Sequence, residues 1–375
     1  MIGEIISRLT RGEELDREEA RETMLQLMRG EASDAQIAAL LTALKMRGET
    51  AQELAGFAQG MREAATTIRP AAAPIVDTCG TGGDGLSTYN ISTAAAFIAA
   101  GAGVYVAKHG NRGVSSPCGS ADVLEALGVC IEQEAGAVQA CIEQVGIGFL
   151  YAPCFHPAMR HVMRARREMG IPTAFNLLGP LTNPAGAGAQ VLGVGMREKA
   201  PLMARALAEM GVRRAMVVHG EDGMDELTTT SPTLVWEIDG EEVRSYRCEP
   251  AELGIERSSL RDLAGGDAEE NARIIREEVL AGRKGPRRDI AVLNAAAALL
   301  VAGKAGDLHE GVALAERSID SGAALAKLED MACFAGGNDI PGTEAVHTDS
   351  EVSMGGVHAA PRLSGGAAQP AGGGG

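Results

Sequence analysis

Several short segments carry residue types and spacings suited to one chemistry: holding a phosphorylated ligand with the help of a divalent cation. The first is Cys79-Gly80-Thr81-Gly82-Gly83-Asp84-Gly85. Glycines permit positive φ and let the backbone pass close to a ligand, so their N–H groups can cradle phosphate oxygens. No Gly-Lys-Ser/Thr follows, so this is not a Walker A loop. Gly80, Gly82 and Gly85 fit the bare GxGxxG spacing, but no helix opens on the last glycine and no acidic residue stands at the ribose-binding distance. The alternative for this loop is a turn that only packs. The next segment is Asn90-Ile91-Ser92-Thr93. These residues are natural helix caps, and the same helix start would present N–H groups and hydroxyls to an anion.

Lys108-His109-Gly110-Asn111-Arg112-Gly113-Val114-Ser115-Ser116 mixes cations, hydroxyls and glycines directly after an apolar run. A solvated basic loop is the alternative. Asp225-Glu226, in GEDGMDELTTT, is a carboxylate pair of the kind that holds Mg²⁺ beside phosphates; an acidic turn is the alternative, and Glu221 and Asp222 stand close by. Finally, His156-Pro157 leads into a basic stretch. A helix there places Arg160, Arg164 and Arg167 roughly on one face, with Arg166 turned about 100° from Arg167. Such a helix is either a surface stripe or a grip for a substrate carboxylate. Cys79 and Cys118 border glycine loops, but no His or acid stands at a telling position to make either a nucleophile.

The elements that must position these residues follow from local patterns. Residues 1–70 read as helices only, with capping boxes at Ser33–Gln36 and Thr50–Glu53. From Pro74 the pattern alternates. Ile75–Thr78 is expected as a strand, Ser92–Gly103 a helix, Val104–Ala107 a strand, Ser120–Leu127 a helix and Ile147–Tyr151 a strand. Pro157–Gly170 is expected as a helix, Gln190–Val194 and Ala215–His219 as strands, and Glu198–Gly211 as the helix between them. Strand–helix alternation implies an α/β fold with a mostly parallel central sheet. Asp239-Gly240 predicts a hairpin turn, so the sheet gains an antiparallel part. Ala268–Ala281, Asp289–Ala302 and Leu308–Ala326 are expected as helices; the apolar run Ile290–Ala302 is interrupted by Asn294. The expected organisation is a helical domain over 1–70, joined by helix segments near 157–185, an α/β domain over 71–340, and a disordered Gly/Ala-rich tail over 341–375.

Composition narrows the classes. The chain of 375 residues is 45% hydrophobic with a net charge of −16. No basic face suits nucleic acid or an anionic membrane. The seven cysteines contain no CxxC pair, which argues against a disulfide framework or structural zinc. The charged N-terminus lacks a signal-peptide core, so a cytoplasmic location is expected.

Taken together, GTGGDG (80–85), NIST (90–93), KHGNRGVSS (108–116), HPAMRHVMRARRE (156–168), FNLLGPLTNPA (175–185) and MDELT (224–228) resemble the anthranilate phosphoribosyltransferase family of tryptophan biosynthesis. The resemblance runs from the N-terminal helices to about Pro341. One departure is Gly113, where the family more often carries Ala or Ser. The resemblance implies a small helical domain beside an α/β domain, an architecture shared with pyrimidine nucleoside phosphorylases, and a homodimer. It implies transfer of the phosphoribosyl group of phosphoribosyl pyrophosphate (PRPP) to the amine of anthranilate. It places Gly80, Gly83, Asp84, Thr88, Asn90, Ile91, Ser92, Thr93, Lys108 to Ser116 and Ser120 at PRPP. Gly80, Asn111 and Arg166 fall to anthranilate, and Ser92, Asp225 and Glu226 to Mg²⁺. Lys108 is implied to steady the departing pyrophosphate. His109 and His156 are candidates to take the amine proton, or residues that only pack. The rival readings are a pyrimidine nucleoside phosphorylase-like enzyme, which needs no Mg²⁺–pyrophosphate clamp, and a nucleic-acid-binding relative of the same fold.

Overall fold

The computed structural model describes residues 2–113 and 117–334. The chain opens with helices α1 (Ile2–Thr10), α2 (Arg17–Met28), α3 (Asp34–Arg47) and α4 (Ala51–Glu63). Both expected capping boxes form: Ser33 Oγ accepts from Gln36 N, and Thr50 Oγ1 from Glu53 N. A further box, Asp16 with Glu19, starts α2. Glu53 is fully buried; it accepts from Leu15 N at 2.9 Å and pairs with Arg47, so its charge is matched.

The strands are β1 (Ile75–Asp77), β2 (Tyr105–Gly110), β3 (Ile147–Tyr151), β4 (Ala189–Gly193), β5 (Arg214–Gly220), β6 (Thr233–Asp239) and β7 (Glu242–Cys248). They form one seven-stranded sheet in the order β3-β2-β1-β4-β5-β6-β7. The pairs from β3 through β5 are parallel, and β6 and β7 add antiparallel pairs. The fold is therefore a helical bundle beside an α/β unit with a mostly parallel sheet. The hairpin turn falls at Gly240-Glu241 rather than Asp239-Gly240, because Asp239 is still paired with Glu242. Gly240 has φ 63°, which suits glycine at the first turn position of a two-residue hairpin.

The remaining helices are α5 (Ile91–Gly101), α6 (Ser120–Ala126), α7 (Ala135–Val145), α8 (Ala152–Phe155), α9 (Arg160–Met169), α10 (Phe175–Leu178), α11 (Ala200–Glu209), α12 (Ala268–Arg273), α13 (Pro286–Val301), α14 (Leu308–Asp320) and α15 (Ala323–Cys333). Helix α7 lacks a sequence-based expectation. Leu308–Ala326 is two helices, not one; Gly322, at φ 81°, breaks the run. The expected helix over 268–281 continues from α12 as a π-helical segment, Ile274–Val279. One buried cluster joins α1–α4 to Val162, Ala165, Phe175, Leu178, Met203 and Leu207, so α9, α10 and α11 share a core with the bundle. The 341–375 tail lies outside the described residues.

Strand order reverses between β1 and β4. Open α/β sheets bind ligands at the carboxyl ends of strands beside such a reversal. The glycine loop leaves β1 at that place, and Gly193 ends β4 next to it.

Candidate active site

The glycine loop is held from the far half of the chain. Thr81 N donates to Gly193 O at 2.8 Å, and Gly82 N to Asp225 Oδ2 at 2.8 Å. A Cβ on Gly80 would lie 2.9 Å from Asp225 Oδ2; one on Gly193 would lie 1.4 Å from Asp225 O. Glycine at both positions is thus what brings the Asp225 loop against the first loop. Gly82, Gly83 and Gly85 have positive φ. The return of the loop is clamped by the segment before α12: Tyr89 N donates to Leu263 O, Gly265 N to Ser87 O, and Thr88 bridges to Ala264.

Asn90 occupies the N-cap position of α5 but makes no side-chain cap. The cap expectation fails there because the amide is engaged elsewhere: Asn90 Nδ2 donates to Cys118 O at 3.2 Å, and Asn90 Oδ1 accepts from Asn271 Nδ2 at 3.0 Å. Ser92 and Thr93 lie in the first turn of α5. Ser92 Oγ accepts from Lys108 Nζ at 3.2 Å, which also donates to Thr78 O and Oγ1. Lys108 is buried, and Thr93 Oγ1 is buried without a partner among the described residues.

Asp225 and Glu226 sit across from this lysine. Burial raises both carboxyls, and then charge adds to it: Asp84 on Asp225, and Asp225 on Glu226. Lys108 and the Ser92 N–H pull Glu226 the other way. Asn294 on α13 fixes their backbone, accepting from Leu227 N at 3.0 Å and donating to Leu227 O at 2.8 Å. The polar interruption of the apolar helix is thus a bracket for the acidic pair. Glu221 and Asp222 have structural partners: Glu221 pairs with Arg247, and Asp222 accepts from Thr228 Oγ1 and Met224 N.

In the 108–116 loop, Asp122 is the organiser. It accepts from Gly113 N and Gly119 N, both at 2.8 Å, and from Arg112 at 3.0 Å. Burial would raise its carboxyl, but these donors hold it below its ordinary value. Arg112 also pairs with Glu125 and lies over the Tyr151 ring, so its charge is already matched. Asn111 is exposed, Gly110 is half-buried at the end of β2, and Ser120 Oγ donates to Asn111 O at 3.4 Å. Val114, Ser115 and Ser116 lie outside the described residues.

Deeper in lie two imidazoles, His109 and His156, with ring centroids 5.2 Å apart. His109 Nδ1 meets Gly179 O at 3.2 Å, so that nitrogen carries the proton in the neutral ring; Nε2 of each ring is buried without a partner among the described residues. Burial first, and then the neighbouring His156 and Arg62, push His109 down to about 3. Burial, with Arg62 adding to it, pushes His156 down to about 4. Arg62 itself is lowered to about 10 by burial against the pull of Asp77, and its Nε has no partner among the described residues. Asp77 accepts from His109 N and from Asn183 Nδ2, and burial raises it to about 6. Arg62, Asp77, Asn271 and Asn294 lie outside the quoted motifs, and Asn183 falls inside FNLLGPLTNPA without being singled out; only the interruption at Asn294 was visible.

Arg166 on α9 is half-buried and stacks over Phe175 at 4.9 Å, whereas Arg160, Arg164 and Arg167 are exposed. Among the described residues Arg166 pairs with no carboxylate; its nearest polar contact is Met163 Sδ at 3.7 Å. Cys79 is no nucleophile: burial pushes its thiol far up, and Cys118 is pushed up to about 11.

Fold and site define a glycosyl transferase with a helical bundle beside an α/β unit. Residues 3–65 match the family described as "Glycosyl transferase family, helical bundle domain", and residues 71–325 the "Glycosyl transferase family, a/b domain". The anthranilate phosphoribosyltransferase of Acetivibrio thermocellus is 53% identical over 89% of this chain and 96% of its own length; that of Moorella thermoacetica is 53% identical over 89% and 98%. The crystal structure of anthranilate phosphoribosyltransferase from Thermus thermophilus superposes with a TM-score of 0.84 at 49% identity, covering 88% of this chain and 98% of that one. The Saccharomyces cerevisiae enzyme in complex with PRPP and Mg has a TM-score of 0.81 at 30% identity, covering 88% and 96%. The chain belongs to the anthranilate phosphoribosyltransferase family.

Proposed function

We propose that this chain transfers the phosphoribosyl group of PRPP to the amine of anthranilate, releasing pyrophosphate, as a step of tryptophan biosynthesis. The observation that carries this reading is the meeting of the glycine loop, Lys108 and the Asp225-Glu226 pair at the strand-order reversal. The donor set fits Mg²⁺. Two buried carboxylates, Asp225 raised further by Asp84 and Glu226 by Asp225, favour a shared dication, and Ser92 Oγ keeps a lone pair while accepting from Lys108. Ser92, Asp225 and Glu226 would hold the ion, which would neutralise charge growing on the departing pyrophosphate.

The protein's own groups do the rest. Lys108 and the open N–H groups of Gly80 and Gly83 steady the phosphates as the bond at the ribose C1 breaks. Arg166, stacked and lacking a carboxylate, grips the carboxylate of anthranilate, with Asn111 and Gly80 beside it. The arylamine is neutral at pH 7 and attacks without prior deprotonation. The protonated arylamine formed is a strong acid, so water or either neutral imidazole suffices to take its proton. Placement is thus the main contribution. The chain is further proposed to act in the cytoplasm as a homodimer, on family resemblance. In support of a non-membrane setting, no helix among the described residues is long and apolar enough to cross a membrane.

Anthranilate fluorescence tests the reading directly. Emission should fall only when PRPP and Mg²⁺ are both present. Constant emission, with free base released from thymidine and phosphate, would replace the proposal with nucleoside phosphorolysis.

A further inference from the structure

A cleft of about 570 Å³ lies outside every residue assigned to the transfer. Its walls come from the start of α11 and from the β6–β7 hairpin: Pro201, Leu234, Trp236 and Tyr246, with Ser245 and the rim pair Arg197-Glu198. Its volume falls within the range of small-molecule sites, and its composition, apolar walls with a few polar groups, is theirs as well. Tyr246 keeps 37% of its surface exposed on a strand where most side chains face solvent.

The rim charges point to the ligand. Neighbouring charges are matched: Lys199 pairs with Glu49 at 2.7 Å and Arg247 with Glu221 at 2.9 Å. Arg197 and Glu198 make no ion pair among the described residues. One cation and one anion at the mouth of an aromatic-walled cleft complement a zwitterion with a flat apolar body. We propose that this cleft binds a free aromatic α-amino acid, its ring against Trp236 and Pro201, its carboxylate on Arg197 and its ammonium on Glu198. The site is well placed to be felt by the first loop. Arg197 follows Gly195 by two residues, and the Gly195 backbone lies so close to Gly82 and Asp84 that an added Cβ would stand 3.1 Å from Gly82 O.

Trp236 is the only tryptophan of the chain, so its emission reports on one position, which lines the cleft and packs against the bundle core. The full-length protein is titrated with L-phenylalanine, 3-phenylpropionate and phenethylamine, with excitation where tyrosine and phenylalanine are silent. Phenylalanine should give a saturable change, and the two half-charged analogues should bind about tenfold or more weakly. Arg197→Gln should bring phenylalanine to the level of phenethylamine, and Glu198→Gln to that of 3-phenylpropionate. Both variants should keep wild-type circular dichroism and anthranilate consumption. The proposal is overturned by a non-saturating response, by equal affinity for all three compounds, or by full binding in both variants. It also fails if Trp236 emission shifts with protein concentration alone, since a second copy then covers the cleft.

Discussion

Arg166 illustrates how one side chain acquires a task from its surroundings. Its guanidinium is half-buried, its pKa is lowered by burial, and it lies over the ring of Phe175. A partly desolvated cation without a carboxylate gains most from a ligand that brings one. Arg166→Ala should raise the KM for anthranilate about tenfold or more while changing the KM for PRPP much less; steady-state kinetics with each substrate varied checks this, and the opposite order would remove Arg166 from the acceptor site. From sequence, Arg166 is turned off the face shared by Arg160, Arg164 and Arg167, but helix geometry does not say which of the four meets a ligand; only the resemblance does. What separates them is whether Phe175, further along the chain, turns its ring under one of them, and that is a tertiary fact. Arg62 is a still harder case. It stands in the last turn of a bundle helix, yet its charge is felt by Asp77, His109 and His156.

At the scale of elements, the legible parts were those written by local chemistry. Ser33–Gln36 and Thr50–Glu53 state a helix start in four residues, and Ile75–Asp77 ends in glycines that can only be a loop. The illegible parts were set by distant partners. Asn90 looks like a cap and is drawn away by Asn271 and Cys118. The periodic run after Leu308 hid the break at Gly322, since apolar spacing continues across it. The pairing of Gly193 with the Asp225 loop was also invisible, although it decides where the acidic pair stands. Gly193→Ala would drive a Cβ into Asp225 O. It should cost about 1–3 kcal/mol of stability and weaken the apparent affinity for Mg²⁺. Gly188→Ala, at an exposed site with nothing within 4 Å, should leave both within about 0.5 kcal/mol of wild type. Equal effects of the two substitutions, followed by thermal unfolding and Mg²⁺ titration of activity, would refute the close approach.

For the whole molecule, buried titratable groups tie stability to pH with opposing signs. His109 and His156 are held neutral, at about 3 and 4, so below an ordinary pKa of about 6.5 the unfolded chain takes up protons that the folded chain refuses. Their contribution is complete above that pH and is lost as pH falls. Asp77, raised to about 6, acts oppositely: its contribution is lost as pH rises through about 6. Replacing both imidazoles while leaving the buried carboxyls in place isolates the histidine share between pH 7 and 5. Urea unfolding should show wild type losing roughly 2–4 kcal/mol more over that interval than a His109→Asn/His156→Asn variant, whose amide at 109 keeps a donor for Gly179 O. An identical loss in both proteins would mean that the rings are protonated in the fold.

The hydrogen bonds that shape the first loop also govern when it can form during synthesis. Gly82 waits for Asp225, 143 residues later, and Asn90 for Asn271, 181 residues later; the Asp225 loop in turn waits for Asn294. Closing such long loops is entropically slow and comes late in folding. A nascent chain therefore leaves the ribosome with its glycine loop unclamped until α13 has emerged. Residues 80–85 thus spend the greater part of translation without the partners that shape them.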